Sequence, residues 1–148
     1  MAKKRIAVLF GGASADHAAS LHTAYSVLSS LPKEIEPLAI GITRAGRWLF
    51  YPGSYENIKD GSWEQDSDCC SCVISPDMTN KGVIKIISDG ESTIHRIDAV
   101  FPVLHGKYGE DGRVQGLCKL AGLPVIGNDF AAAAPVSYTH LRAHETSQ

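Results

Sequence analysis

The chain lacks any apolar run long enough for a signal-peptide core or a membrane span. Its basic start, Lys3-Lys4-Arg5, is followed by only five apolar residues before Gly11, against the roughly 20 that a spanning helix needs. A cytoplasmic location with no membrane contact is expected. Strong charge of one sign is also missing. A net charge of −2 at pH 7 gives no reason to expect nucleic acid or an anionic lipid surface as a partner. No disulfide framework is implied by the four cysteines. Cys69, Cys70 and Cys72 crowd into one polar stretch without matching histidine spacing, and Cys118 falls on the apolar face of an expected helix, so no metal site is expected. Finally, no nucleotide fingerprint is present. Gly11-Gly12 is followed by Ala13-Ser14, with neither GxGxxG nor a Walker lysine.

What remains is an ordinary globular composition, 148 residues with 44% apolar and 20% charged, which fits one domain with a real core. Arg5–Phe10 reads as a strand. Leu21, Ala24, Tyr25, Leu28 and Leu31 then recur at the spacing of one helical face, which Pro32 ends. Glu36–Ile42 reads as a second strand, giving a βαβ start with parallel pairing. Trp48–Tyr51 continues as a strand. The stretch from Pro52 to Cys72 is polar and irregular, with a short helix expected around Tyr55–Lys59. Val83–Ile87 and Thr93–Ile97 flank Asp89-Gly90 and predict a hairpin at the sheet edge, with His95 facing solvent. Val100–Leu104 is the next strand and is expected to be central. Val114, Leu117, Cys118 and Ala121 form another helical face that Gly122 stops, and Val125–Gly127 predicts a last short strand. The class is α/β, a mostly parallel sheet flanked by helices with an added edge β-hairpin. Trp48 and Trp63 are expected to be packing residues.

Two polar motifs follow apolar strands and precede helices: Gly11-Gly12-Ala13-Ser14-Ala15-Asp16-His17 and His105-Gly106-Lys107-Tyr108-Gly109-Glu110-Asp111-Gly112. Strand, glycine-rich loop and helix, used twice, build a ligand crevice at the carboxyl ends of strands. A helix amino terminus can hold an anion, but Asp16 would repel phosphate and welcome an ammonium group. Asp16 also suits a plain helix cap. His105 can donate a hydrogen bond to an anionic group, or simply bond to backbone as a strand-end residue. His17 and His22 lie too far apart around a helix to share one metal.

The motifs together resemble the amino-terminal domain of the D-alanine–D-alanine ligase family, which is Rossmann-like (the pre-ATP-grasp fold). Phe10, Gly11, Gly12, Ser14, Asp16, His17 and Ser20 match a Phe-Gly-Gly-x-Ser-x-Glu-His-x-x-Ser-type motif, with Asp16 where the family has glutamate. The shorter side chain draws the carboxylate back by about 1.5 Å, one C–C bond. The second motif matches His-Gly-x-x-Gly-Glu-Asp-Gly nearly unchanged, over His105, Gly109, Glu110, Asp111 and Gly112.

The resemblance implies that Asp16 binds the amino group of the first D-alanine and that His105 lies near its carboxylate. It implies that Gly11, Gly12 and Ser14 line the site, while Ser20, Gly109, Glu110, Asp111 and Gly112 support the loops, Asp111 as a helix cap. It further implies an enzyme of peptidoglycan precursor synthesis that uses ATP and Mg2+ in the full-length parent and is dimeric there. The Gly41–Trp48 segment resembles the D-alanine–D-serine ligase branch.

The matching region is 1–134. Residues 136–146 resemble a translated sequencing adapter, so 135–148 is expected to be a foreign tail. The ATP-grasp domains are then missing, and the chain alone is expected to be inactive and to bind neither ATP nor Mg2+. Two alternatives stand beside this one. The first is a D-alanine–D-serine or D-alanine–D-lactate ligase; the second is a stand-alone flavodoxin-like module for a small ligand.

Overall fold

Residues 3–13, 15–86, 90–104 and 112–127 are described by a computed structural model. Among the described residues seven strands form one sheet in the order β6-β5-β4-β3-β2-β1-β7. They are β1 (Lys4–Gly11), β2 (Ile35–Ile42), β3 (Trp48–Phe50), β4 (Cys70–Ile74), β5 (Gly82–Ile86), β6 (Ser92–Arg96) and β7 (Ala99–Pro102). The helices among the described residues are α1 (His17–Ser30), α2 (Glu56–Lys59) and α3 (Arg113–Ala121), with a 3-10 turn over Ser62–Gln65. Among the described residues no helix is long and apolar enough to cross a membrane.

β1 is the hub. It pairs in parallel with β2, Val8 opposite Ala39, and with β7, Val8 opposite Phe101. Strands paired on both sides and covered on both faces must be apolar throughout. Ile6 to Phe10 are accordingly all buried. Alternate residues feed two cores. Val8 and Phe10 point toward α1, α2 and Trp63, whereas Ala7 and Leu9 point toward Val114 and Cys118 of α3.

The helix boundaries follow local chemistry. Leu31 is extended (ψ 142°) because the ring of Pro32 disfavours helical backbone before it. α3 ends in a Schellman motif: Gly122, at φ 72°, donates to the Lys119 carbonyl at 3.1 Å while Leu123 donates to Cys118 at 2.8 Å.

The α/β class, the helices and the edge hairpin are as expected, with five differences. The antiparallel part is larger than a hairpin, since β3, β4, β5 and β6 all run antiparallel to their neighbours. β4 lies inside the stretch read as irregular, where its alternating Cys72 and Ile74 are buried and Val73 is exposed. β7 is not central among the named strands. Beyond it Val125 makes only an isolated parallel bridge to Val100, so the expected last strand shrinks to one pairing. His95 is half-buried rather than solvent-facing, its ring stacked on Phe50 at 5.9 Å. Burial, then the Lys85 and Arg5 charges, hold its pKa below the usual value.

Candidate functional site

The carboxyl ends of β1 and β7 lie side by side, and α1 begins directly above them. Ser20, fully buried on the first turns of α1, joins the two strand ends. Its hydroxyl accepts the Gly11 N–H at 2.8 Å and donates to the Val103 carbonyl. Val103 in turn donates its N–H to the Leu9 carbonyl at 2.8 Å, carrying the β1–β7 ladder past the end of β7. Leu104 packs against Gly12, where a Cβ would stand 3.6 Å from its Cδ2. Gly12 of the first motif and Leu104, the last described residue before the second, therefore lie side by side.

Gly11 is required by two features. Its φ is 90°, a region that costs L side chains energy, and a methyl group there would collide with the Ile42 carbonyl. That same carbonyl accepts the Gly12 N–H at 2.8 Å. The Gly12 carbonyl accepts a hydrogen from His17 Nδ1 at 2.7 Å. The polar groups of this glycine pair are thus directed into the protein. The Gly11 and Gly12 N–H groups are therefore already bonded and are not offered to an anion. Among the described residues no three His, Cys, Asp or Glu side chains gather as metal ligands.

Asp16 sits at the N-cap of α1, where its carbonyl accepts the Ser20 N–H at 3.1 Å. Its side chain makes no capping hydrogen bond, although a carboxylate at this position still favours the positive end of the helix dipole. The N-cap of α3 is Gly112, at φ 87°, rather than Asp111. Ser14, His105, Gly109, Glu110 and Asp111 lie outside the described residues. So does the tail from 128 onward.

Trp63 packs in the core as expected, but its place under this loop, like the contact between His17 and Glu64, was not foreseen. His17 is buried, with 4% of its side chain exposed, and its Nε2 stands 3.9 Å from Glu64 Oε1. Trp63, next to Glu64, is completely buried and meets Phe10 edge-on at 5.0 Å and Tyr51 at 6.2 Å. It fits because Gly41 has no side chain; a Cβ there would overlap the indole. The presence of His17 inside the first motif was a signal, but nothing local in sequence points from it to Glu64.

The family profile described as "D-ala D-ala ligase N-terminus" matches residues 5–128. Over 135 residues the chain is 48% identical to a D-alanine–D-alanine ligase of Caldicellulosiruptor bescii, covering 90% of this chain and 36% of that protein. It is 38% identical to a putative D-alanine–D-lactate ligase of Streptomyces coelicolor, again over 90% of this chain and 37% of the relative. Among solved structures, the VanG D-Ala:D-Ser ligase of Enterococcus faecalis superposes with a TM-score of 0.78 at 40% identity, over 88% of this chain and 38% of that one. The chain thus spans little more than a third of each of these relatives.

Proposed function

The chain belongs to the D-alanine–D-alanine ligase family, whose amino-terminal domain it matches, and from that premise we propose that it holds the first D-alanine of an ATP-dependent ligase. The observation that carries this reading is the Ser20 hydroxyl bridging Gly11 and Val103. That bridge sets the Asp16 loop beside the strand end from which His105 departs one residue after Leu104. A carboxylate on one loop and an imidazole on the next suit the ammonium and carboxylate of one small amino acid. Asp16 then takes the ammonium and His105 donates to the carboxylate. Ser14, Gly11 and Gly12 shape the site, and Ser20, Gly109, Glu110, Asp111 and Gly112 support its loops.

Relatives named for three different acceptors, D-alanine, D-lactate and D-serine, share this domain. What they have in common is D-alanine as the first partner, which favours a domain that binds the first substrate rather than the second. We assign ATP and Mg2+ to other parts of the parent, because this chain has neither GxGxxG nor a Walker lysine and its Gly11 and Gly12 N–H groups are already bonded within the protein. We assign 1–134 to the domain and read 135–148 as foreign. Sequencing the source DNA across the Ala134 codon tests that assignment, and a native frame ending in the present tail overturns it.

Binding is tested by calorimetry with D-alanine, L-alanine and ATP. Heat with D-alanine alone supports the reading. Binding of a nucleotide without D-alanine would instead favour the flavodoxin-like module. A coupled ADP-release assay with D-alanine and Mg-ATP is expected to show no turnover by the chain alone.

A further inference from the structure

The Ser62–Gln65 turn comes from the middle of the chain yet stands against the two residues that flank the substrate loop, Phe10 of β1 and His17 of α1. Trp63 packs on Phe10, the residue before Gly11, and Glu64 stands beside the ring of His17. We propose that His17, backed by this turn, is the positioning residue of the substrate loop. Its Nδ1–H fixes the Gly12 carbonyl and so sets the direction in which Ala13 to Asp16 leave β1. The ligand-binding part of this inference rests on the D-alanine reading above; the positioning part does not.

The chemistry of the contact is one-sided. A carbonyl oxygen only accepts, so at 2.7 Å the hydrogen must sit on Nδ1. Gly12 and His17 are both buried, so losing the donor leaves a buried carbonyl unpaired. The Gly12 N–H is already bound to Ile42. Gly12 is therefore held at both its polar groups, and only the His17 side is replaceable by mutation of a side chain. Glycine with φ 99° is the residue most able to rotate once released. Glu64 Oε1, 3.9 Å from Nε2, lies on the opposite side of the ring from Gly12.

The test compares His17→Leu, which fills the space without a donor, with His17→Asn, whose amide nitrogen replaces Nδ1. Amide hydrogen exchange is read on the ligand-free chain. At Gly12, Ala13, Ala15 and Asp16 it is expected to speed up about tenfold or more in His17→Leu, the factor that goes with one lost buried hydrogen bond, and to return toward the parent rate in His17→Asn. D-alanine affinity is expected to follow the same order. Unchanged exchange in His17→Leu, or equal loss in both variants, overturns the proposal. Should His17→Leu not fold, the ring nitrogen spectrum of the unmodified chain decides: a His17 Nδ1 without hydrogen overturns it. If the exchange pattern holds while the parent chain does not bind D-alanine, the D-alanine reading fails and the positioning role stands.

Discussion

A hydrogen bond from the Ser20 hydroxyl to the Val103 carbonyl joins residues 83 positions apart. The same oxygen accepts the Gly11 N–H, so a single buried hydroxyl registers two strand ends and one helix. Replacing Ser20 with alanine strands one donor and one acceptor in the core. The expected loss is about 3 kcal/mol, at one to three per unsatisfied buried group. Urea unfolding measures it; a loss under about 1 kcal/mol would show that the bridge is replaced by other contacts or water.

Gly41 lets the Trp63 indole approach the sheet. A Cβ at that position would overlap the ring and also crowd Phe10, in an interior with no spare volume. Gly41→Ala is therefore expected to destabilise by about 1–3 kcal/mol, the usual cost of overpacking. Because Phe10 precedes the substrate loop, Trp63 fluorescence should shift in the same variant. A normal emission maximum and normal stability would place the indole elsewhere.

Asp16 is proposed to carry the ammonium contact. Asp16→Asn keeps the shape and removes the charge, and it should weaken D-alanine binding about tenfold or more, since hydrogen bonds to charged groups contribute about 1.5–3 kcal/mol. Asp16→Glu restores the family's residue and should bind at least as well as the parent. Calorimetry on both variants checks this, and equal affinity across the three would remove Asp16 from the site.

The buried thiols predict a pH dependence. Burial pushes Cys72 from 9.0 up to about 12, with the Cys70 and Cys69 charges adding to it. Burial alone raises Cys118 to about 11. In the unfolded chain these thiols ionise near 9 and release protons that the folded chain keeps. Stability is therefore complete below pH 9 and falls as the pH climbs from 9 toward 11 and 12. Urea midpoints at pH 7 and pH 10 test the sign. Ellman's reagent at pH 8 should also modify Cys72 and Cys118 about 100-fold more slowly in the native chain than in urea, as thiolate fraction and access both fall.

Much of this architecture is legible from periodicity. β1, α1, β2, the β5–β6 hairpin and α3 each announce themselves by apolar spacing and by Pro32, Gly90 or Gly122 at their ends. β4 does not, because Cys70-Ser71-Cys72 offers little apolar contrast and the strand exists only through its neighbours β3 and β5. The site divides the same way. Asp16 and Ser20 stand in a motif readable along the chain. Glu64 and Trp63 reach that motif through space, across an aromatic contact and a vacancy at Gly41 that no local pattern encodes.

The most direct test of the central claim is amide NMR of the chain titrated with D-alanine and, separately, with L-alanine. D-alanine is expected to shift the resonances of Gly11, Gly12 and Asp16, with smaller effects at Ser20 and Val103, and L-alanine to leave them in place. Shifts confined to other parts of the sheet, or identical responses to both enantiomers, would contradict a D-alanine site at the ends of β1 and β7.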